Sequence, residues 1–261
     1  MQLYQAGSIK YYKFTSYDNQ GLYHAVFTRQ GGISPTPWKS LNFGASVGDD
    51  INRVKQNREN ALAVLNINPD SSYDVYQVHG TEIALTNRPL RQGEHHIKAD
   101  AIITNTPNVT LMMRFADCVP IFLFDPINRV IGLAHAGWIG TVNKIAEKTI
   151  QKMKLRFETN PEDVMAAIGP SIGPDHYAVG MEVIDKVLSS FGDKGKQLIL
   201  RNNEKSFFNL WKANKVILNE AGVNKIEVAE VCTNCDLNNW YSHRGEHGKT
   251  GRFGVVLGLC K

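Results

Sequence analysis

Three side chains in this sequence could share one metal ion: His79, Cys118 and His135. Each stands where a strand-forming run gives way to a turn. Gln77-Val78-His79-Gly80 ends in glycine, and Ala116-Asp117-Cys118-Val119-Pro120 lies between two apolar runs. Ala134-His135-Ala136-Gly137 leads through Trp138 and Thr141 into a helical pattern. Strand ends followed by tight turns are where rigid scaffolds present reactive groups. Two imidazoles and a thiolate suit zinc, and three ligands leave a fourth position open, the mark of a catalytic rather than a structural site. Zinc held in this way acidifies a water enough to supply hydroxide near neutral pH. Copper would also enter such a set, given its higher intrinsic affinity. The spacing leaves two other readings open. Cys118 and His135 could be nucleophile and base of a cysteine hydrolase or amidase, or the thiol could be a small buried hydrophobe beside two unrelated histidines.

Further segments could serve such a centre. Thr28-Arg29-Gln30-Gly31-Gly32 follows a strand with a glycine turn, where Arg29 could hold a phosphate through its planar fork. The start of the helix after Gly137 offers exposed amides to an anion. The stiff turn at 168–174, Ile-Gly-Pro-Ser-Ile-Gly-Pro, could wall a pocket. Cys232 and Cys235, with His243 and His247 beyond, suggest a structural zinc, but the gap to His243 is too short for a zinc finger. Gly248-Lys249-Thr250 lacks the earlier glycine of a P-loop, since His243 occupies that place. The zinc deaminase signature is absent, and His95-His96 reads as an exposed loop pair. His24 and Arg58 are weaker candidates.

The elements that must position these residues are short runs rich in Val, Ile and Phe alternating with helical patterns. Strands are expected at 22–27, 74–78, 83–86, 101–104, 110–114, 121–124, 130–134, 164–168, 226–230 and 254–257. Helices are expected at 52–65, capped by Asp49 or Asp50, and at 142–154, 182–190 and 210–221, the last stopped by Gly222. Several strands are apolar on both faces, as buried strands are. With no repeat or linker, residues 1–261 read as a single mixed α/β catalytic domain.

Composition narrows the class. The net charge is +4, from 29 Lys and Arg against 25 Asp and Glu, without a basic run. That argues against nucleic acid but suits an anionic co-substrate such as phosphate. No apolar stretch is long enough to span a bilayer, and residues 1–14 do not read as a secretory signal, so no membrane partner and a cytoplasmic location are expected. The four cysteines are unevenly spaced and read as reduced thiols or metal ligands rather than a disulfide framework.

Taken in order, FTRQGGIS (27–34), LNFG (41–44), VGDD (47–50), NRENAL (57–62), QVHG (77–80), ADCVP (116–120), HAGWIGT (135–141), IGPSIGP (168–174), CTNCD (232–236), YSHRG (241–245) and GR (251–252) span nearly the whole chain. In this the sequence resembles the YfiH-type family of purine nucleoside phosphorylases, formerly labelled multicopper polyphenol oxidases or laccase-like proteins. The resemblance implies two mixed β-sheets packed face to face with helices outside, distantly like cysteine hydrolases. It implies that His79, Cys118 and His135 hold zinc or copper. It also implies phosphorolysis of adenosine, inosine and 5′-methylthioadenosine, with adenosine deamination at the same site. The expected partners are a purine nucleoside and phosphate, with Arg29 and Arg244 on the phosphate, Asp117 as proton shuttle and a monomeric state. Two positions depart from the family pattern: Ile139 stands where an Arg is common, and His243 where a Tyr or similar residue is usual. A copper-dependent polyphenol oxidase is the weaker alternative, since a trinuclear cluster normally draws on His-x-His pairs and the chain has none.

Overall fold

The computed structural model describes residues 1–202 and 204–261. In chain order the first half holds β1 (Gln2–Ala6), β2 (Ile9–Lys13), β3 (Leu22–Phe27), α1 (Ile51–Ala63), β4 (Ser72–Asp74), β5 (Ile83–Leu85), β6 (Ala101–Thr104), β7 (Thr110–Phe115) and β8 (Val119–Asp125). The second half holds β9 (Val130–Ala136), α2 (Trp138–Val142), α3 (Ile145–Phe157), β10 (Met165–Ile168), β11 (Ala178–Val179), α4 (Met181–Phe191), β12 (Ile199–Asn202), β13 (Lys205–Phe208), α5 (Leu210–Glu220), β14 (Lys225–Val228) and β15 (Phe253–Leu259).

Two six-stranded mixed sheets form the frame, in the orders β1-β2-β3-β15-β7-β4 and β14-β10-β8-β9-β6-β5. The doubly apolar strands explain the layering, because side chains alternate across a strand and each face needs cover. Phe122, Phe124, Ile131 and Leu133 of the second sheet pack against Leu111, Met113, Val255 and Leu257 of the first. The opposite faces of the same strands, through Ile121, Leu123 and Ala134, pack against Ile145, Ile150 and Met153 of α3 and Ala213 and Ile217 of α5. The outer face of the first sheet is covered by α1, where Ala61 and Leu62 meet Ala25, Phe27 and Val256. The result is helix, sheet, sheet, helix, the α/β arrangement of face-to-face mixed sheets with helices outside.

The helix ends follow the sequence signals. The Asp50 side chain accepts from the Asn52 and Arg53 amides and caps α1. Gly222, at φ +92°, lies just beyond α5. Two expectations are corrected. The strand expected at 74–78 stops at Asp74, because the following residues turn away to carry His79 and keep only an isolated bridge from Tyr76 to Lys98. The helix expected from Val142 is broken by Lys144 at φ +61°, so α2 and α3 are separate. The hairpin of β1 and β2 and the small sheet β11-β13-β12 were not expected. Their half-exposed, Lys- and Tyr-containing segments lack the apolar runs by which the central strands are recognised.

Candidate metal centre and substrate cavity

Strand pairing delivers the three donors to one place. β8 and β9 are antiparallel with Val119 opposite Ala136, so Cys118, just ahead of β8, arrives beside Gly137. β6 pairs with β9 with Ala101 opposite Ala134, so Asp100 arrives beside His135 and accepts its backbone amide at 2.7 Å. Asp100 then organises the third donor. Its carboxylate, fully buried, accepts the amides of Val78 at 3.2 Å, His79 at 3.0 Å and Gly80 at 2.6 Å, and His135 Nδ1 at 2.8 Å. It therefore fixes the loop that carries His79 and the tautomer of His135, turning His135 Nε2 towards the thiol.

The donor atoms of His79, Cys118 and His135 all lie within 4.8 Å of one another, with Cys118 Sγ 4.0 Å from His79 Nδ1. The imidazole rings meet edge to face at 4.8 Å between centroids. A methyl group on Gly137 would stand 3.0 Å from Cys118 Sγ and 3.1 Å from His79 Nδ1, so only glycine leaves the space between the donors free. His79 and Asp117 both hold left-handed backbone, at φ +60° and +80°. Strain of that kind persists where surrounding contacts over-determine it, as Asp100 and the loops around Asp117 do here.

The electrostatics favour a thiolate. Burial raises the Cys118 thiol, but the charge and hydrogen bond of His135, then the contact with His79, outweigh it and bring it down to about 6. Burial likewise disfavours a charged His135, yet Cys118 and Asp100 together raise it to about 9. Asp100 stays below the usual carboxylate range: burial raises it, and its hydrogen bonds to His135 and the backbone amides outweigh that. A thiolate is the form that ligates metal or attacks carbon.

A cavity of about 420 Å³ opens over these donors. Arg114, Arg244 and Arg252 bring positive charge to its wall, and Tyr76, Trp138 and Tyr177 bring aromatic surface. Arg114 is held by Asp74 and the Val75 carbonyl, and Asp74 also pairs with Arg58 and with His96, at 2.6 Å. Among the described residues, Arg244 commits only Nη1, to the Ala178 carbonyl at 2.9 Å. Arg252 commits only Nη1, to the Thr250 and Gly251 carbonyls. Both guanidinium groups keep donors for an anion. Asp117 and His243 also line the space.

The remaining sequence candidates are distributed differently. Arg29 does not line this cavity; it donates to the Lys39, Leu237 and Trp240 carbonyls and to Glu246, and lies 4.4 Å above the Tyr241 ring. Asp117 Oδ1 accepts the Thr233 hydroxyl at 2.7 Å and Oδ2 the Arg244 amide at 2.6 Å. His24 sits in the core and accepts the Phe14 amide at 2.7 Å. Arg58 donates to the Phe43 carbonyl and reaches the site only through Asp74. Ile139 is partly exposed and away from the cavity lining. Cys232 and Cys235 meet His176 and Asp175 rather than His243 or His247. Asp100, Arg114, Arg252 and Tyr177 are the site residues that sequence reasoning missed. Arg114 carried one signal, a charge closing an otherwise apolar strand.

Residues 23–260 match the family described as multi-copper polyphenol oxidoreductase laccase. "Purine nucleoside phosphorylase YlmD" of Bacillus subtilis is 35% identical over 255 residues, covering 94% of this chain and 91% of the relative. A purine nucleoside phosphorylase of Deinococcus radiodurans is 36% identical, covering 92% and 90%. The crystal structure of YlmD from Geobacillus stearothermophilus superposes with a TM-score of 0.92 at 30% identity, covering 99% of each chain. Two stacked mixed sheets with a His, Cys, His cluster at one end define the class, and the chain belongs to the YfiH/YlmD-type family of purine nucleoside phosphorylases. Among the described residues no helix is long and apolar enough to cross a membrane.

Proposed function

We propose that residues 1–261 act as one zinc-dependent catalytic domain that cleaves purine nucleosides with phosphate and also deaminates adenosine. The observation that carries this reading is the meeting, in one cavity, of a three-donor His, Cys, His set with three guanidinium groups. The donor chemistry fits zinc: two imidazoles, one of them oriented by Asp100, and a thiol already biased to thiolate. His79, Cys118 and His135 would hold the ion, which when bound supplies Lewis-acid chemistry at the position left open by three ligands.

The chain's own residues supply the rest. Arg244 and Arg252, with donors to spare, would bind phosphate, and Arg114 would add charge. Tyr76, Trp138 and Tyr177 offer surfaces on which a purine can stack. In phosphorolysis a phosphate oxygen bonds to the anomeric carbon while the glycosidic bond breaks. Its electron pair leaves with the base, which takes up a proton, and ribose 1-phosphate remains. Held phosphate raises the effective concentration of the nucleophile, and the fixed guanidinium groups resist its loss to solvent. In deamination, water replaces the amino group at C6 and ammonia leaves. Both Asp117 oxygens are engaged by Thr233 and Arg244, which gives it a positioning role in this scheme.

Adenosine incubated with the purified protein, with and without phosphate, tests the reading. Adenine and ribose 1-phosphate should form only with phosphate, and inosine in either case; neither product would defeat it. The Asp100, His135, Cys118 series also favours a second reading, a cysteine hydrolase with Cys118 as nucleophile, His135 as base and Asp100 as its orienter. That enzyme would be killed by thiol alkylation and indifferent to chelators, whereas chelators should silence the phosphorylase.

A further inference from the structure

A second cluster of donors lies behind the cavity wall, on two loops that pack together. One loop follows β10 and carries Asp175 and His176; the other follows β14 and carries Cys232 and Cys235. An isolated parallel bridge between Ser171 and Cys232 joins them. His176 Nδ1 lies 3.7 Å from Cys232 Sγ and 3.5 Å from Cys235 Sγ. Asp175 Oδ2 is 3.1 Å from the same nitrogen and 3.9 Å from Cys235 Sγ.

These four separations resemble edges of a tetrahedral ligand set, and all four donor atoms lie within 4.8 Å of one another. With metal–sulfur bonds of about 2.3 Å and metal–nitrogen or metal–oxygen bonds of about 2.1 Å, sulfur-to-nitrogen and sulfur-to-oxygen edges come to about 3.6 Å. The nitrogen-to-oxygen edge comes to about 3.4 Å on the same bond lengths. The four contacts scatter around those values by a few tenths of an ångström, within reach of small side-chain rotations. Two further features suit a thiolate site. The Gly173 amide donates to Cys232 Sγ at 3.1 Å, the kind of outer contact that orients a metal-bound sulfur. A methyl group on Gly173 would stand 2.6 Å from Asp175 Oδ1 and 3.1 Å from Cys232 Sγ, so glycine is what lets the two loops close on each other.

We infer that Asp175, His176, Cys232 and Cys235 form a second, closed binding site for a zinc-class divalent cation. Four protein ligands leave no position for substrate, so the site clasps rather than catalyses. What it clasps borders the cavity. Tyr177 follows His176 directly, and Arg244, stacked over the Tyr177 ring at 5.2 Å, donates to the Ala178 carbonyl. Thr233 follows Cys232 and holds Asp117, the residue ahead of Cys118. The inference stands apart from the proposed activity, because it concerns donors that the cavity does not use.

Metal content after zinc loading and desalting separates the two sites. Wild type should retain two equivalents, Cys118→Ala one, and the double variant Cys232→Ser/Cys235→Ser one. Loss of all metal from Cys118→Ala, or a wild-type count in the double variant, would overturn the inference. Should the double variant fail to fold, cobalt-loaded Cys118→Ala decides the matter alone. It should show tetrahedral cobalt absorption with thiolate-to-metal charge transfer, and His176→Ala added to it should weaken cobalt binding at least tenfold. A spectrum without thiolate charge transfer, or a disulfide between Cys232 and Cys235 in the zinc-treated protein, would contradict the site.

Discussion

Asp100→Asn is the sharpest perturbation of the candidate centre, because it preserves shape and removes only charge and acceptor capacity. Oδ1 of Asp100 accepts from the His79 amide and His135 Nδ1, and Oδ2 from the Val78 and Gly80 amides. An asparagine has one oxygen, so in either orientation its NH₂ group faces two donors at a fully buried position. A hydrogen bond to a charged group contributes about 1.5–3 kcal/mol, and each unsatisfied buried donor costs about 1–3 kcal/mol. Partial relaxation of the His79 loop offsets some of this, leaving a destabilisation on the order of 3 kcal/mol. Affinity for metal should fall further than fold stability implies. His135 loses the carboxylate that, after Cys118, contributes most to its basicity, and outer-contact losses of this kind weaken metal binding by about 10–100-fold. Chelator competition would give the metal affinity of the His79, Cys118, His135 site, and urea titration the stability of the metal-free protein. A variant that binds metal within twofold of wild type, with an unchanged urea midpoint, would refute the claim that Asp100 organises the centre.

Gly137→Ala should weaken metal binding at the same centre with little change in fold stability, since its methyl lands among the donors; metal competition and thermal melting would report both. Arg29→Ala should destabilise the fold by about 1–3 kcal/mol in urea titration, because it removes a half-buried charge-assisted hydrogen bond to Glu246 and others to backbone carbonyls, while any phosphate KM changes less than in Arg252→Gln. His24 is a pH probe. Burial, then Lys13, lowers it from 6.5 to about 3, so it stays neutral in the fold while the unfolded chain takes up a proton. Its contribution is fully present above pH 6.5 and is lost progressively as pH falls towards about 3, at about 1.4 kcal/mol per pH unit. His24→Gln, which keeps an acceptor for the Phe14 amide, should flatten the stability curve across that window.

The central strands and the three donors could be read from the sequence because each has a local signature. Val, Ile and Phe runs mark strands that need cover on both faces, and His79, Cys118 and His135 each sit next to a glycine or proline turn. What could not be read is what crosses between strands. Asp100 meets His135 only because β6 pairs with β9 in one particular register, and periodicity does not encode that register. Arg29 shows the converse. Its glycine-rich surroundings looked suited to an anion, but its guanidinium lies outside the cavity, with Nη1 turned to the Leu237 and Trp240 carbonyls some two hundred residues away in the chain. The second donor cluster escaped for the same reason: Cys232 and Cys235 announce themselves, whereas Asp175 and His176 reach them only through the packing of two loops.

Phosphate-dependent release of adenine from adenosine, measured alongside metal content in His79→Ala, Cys118→Ala and His135→Ala, tests the central claim most directly. Each variant should lose one metal equivalent and its release should fall to background. A variant that has lost that equivalent yet still releases adenine at the wild-type rate would contradict the account.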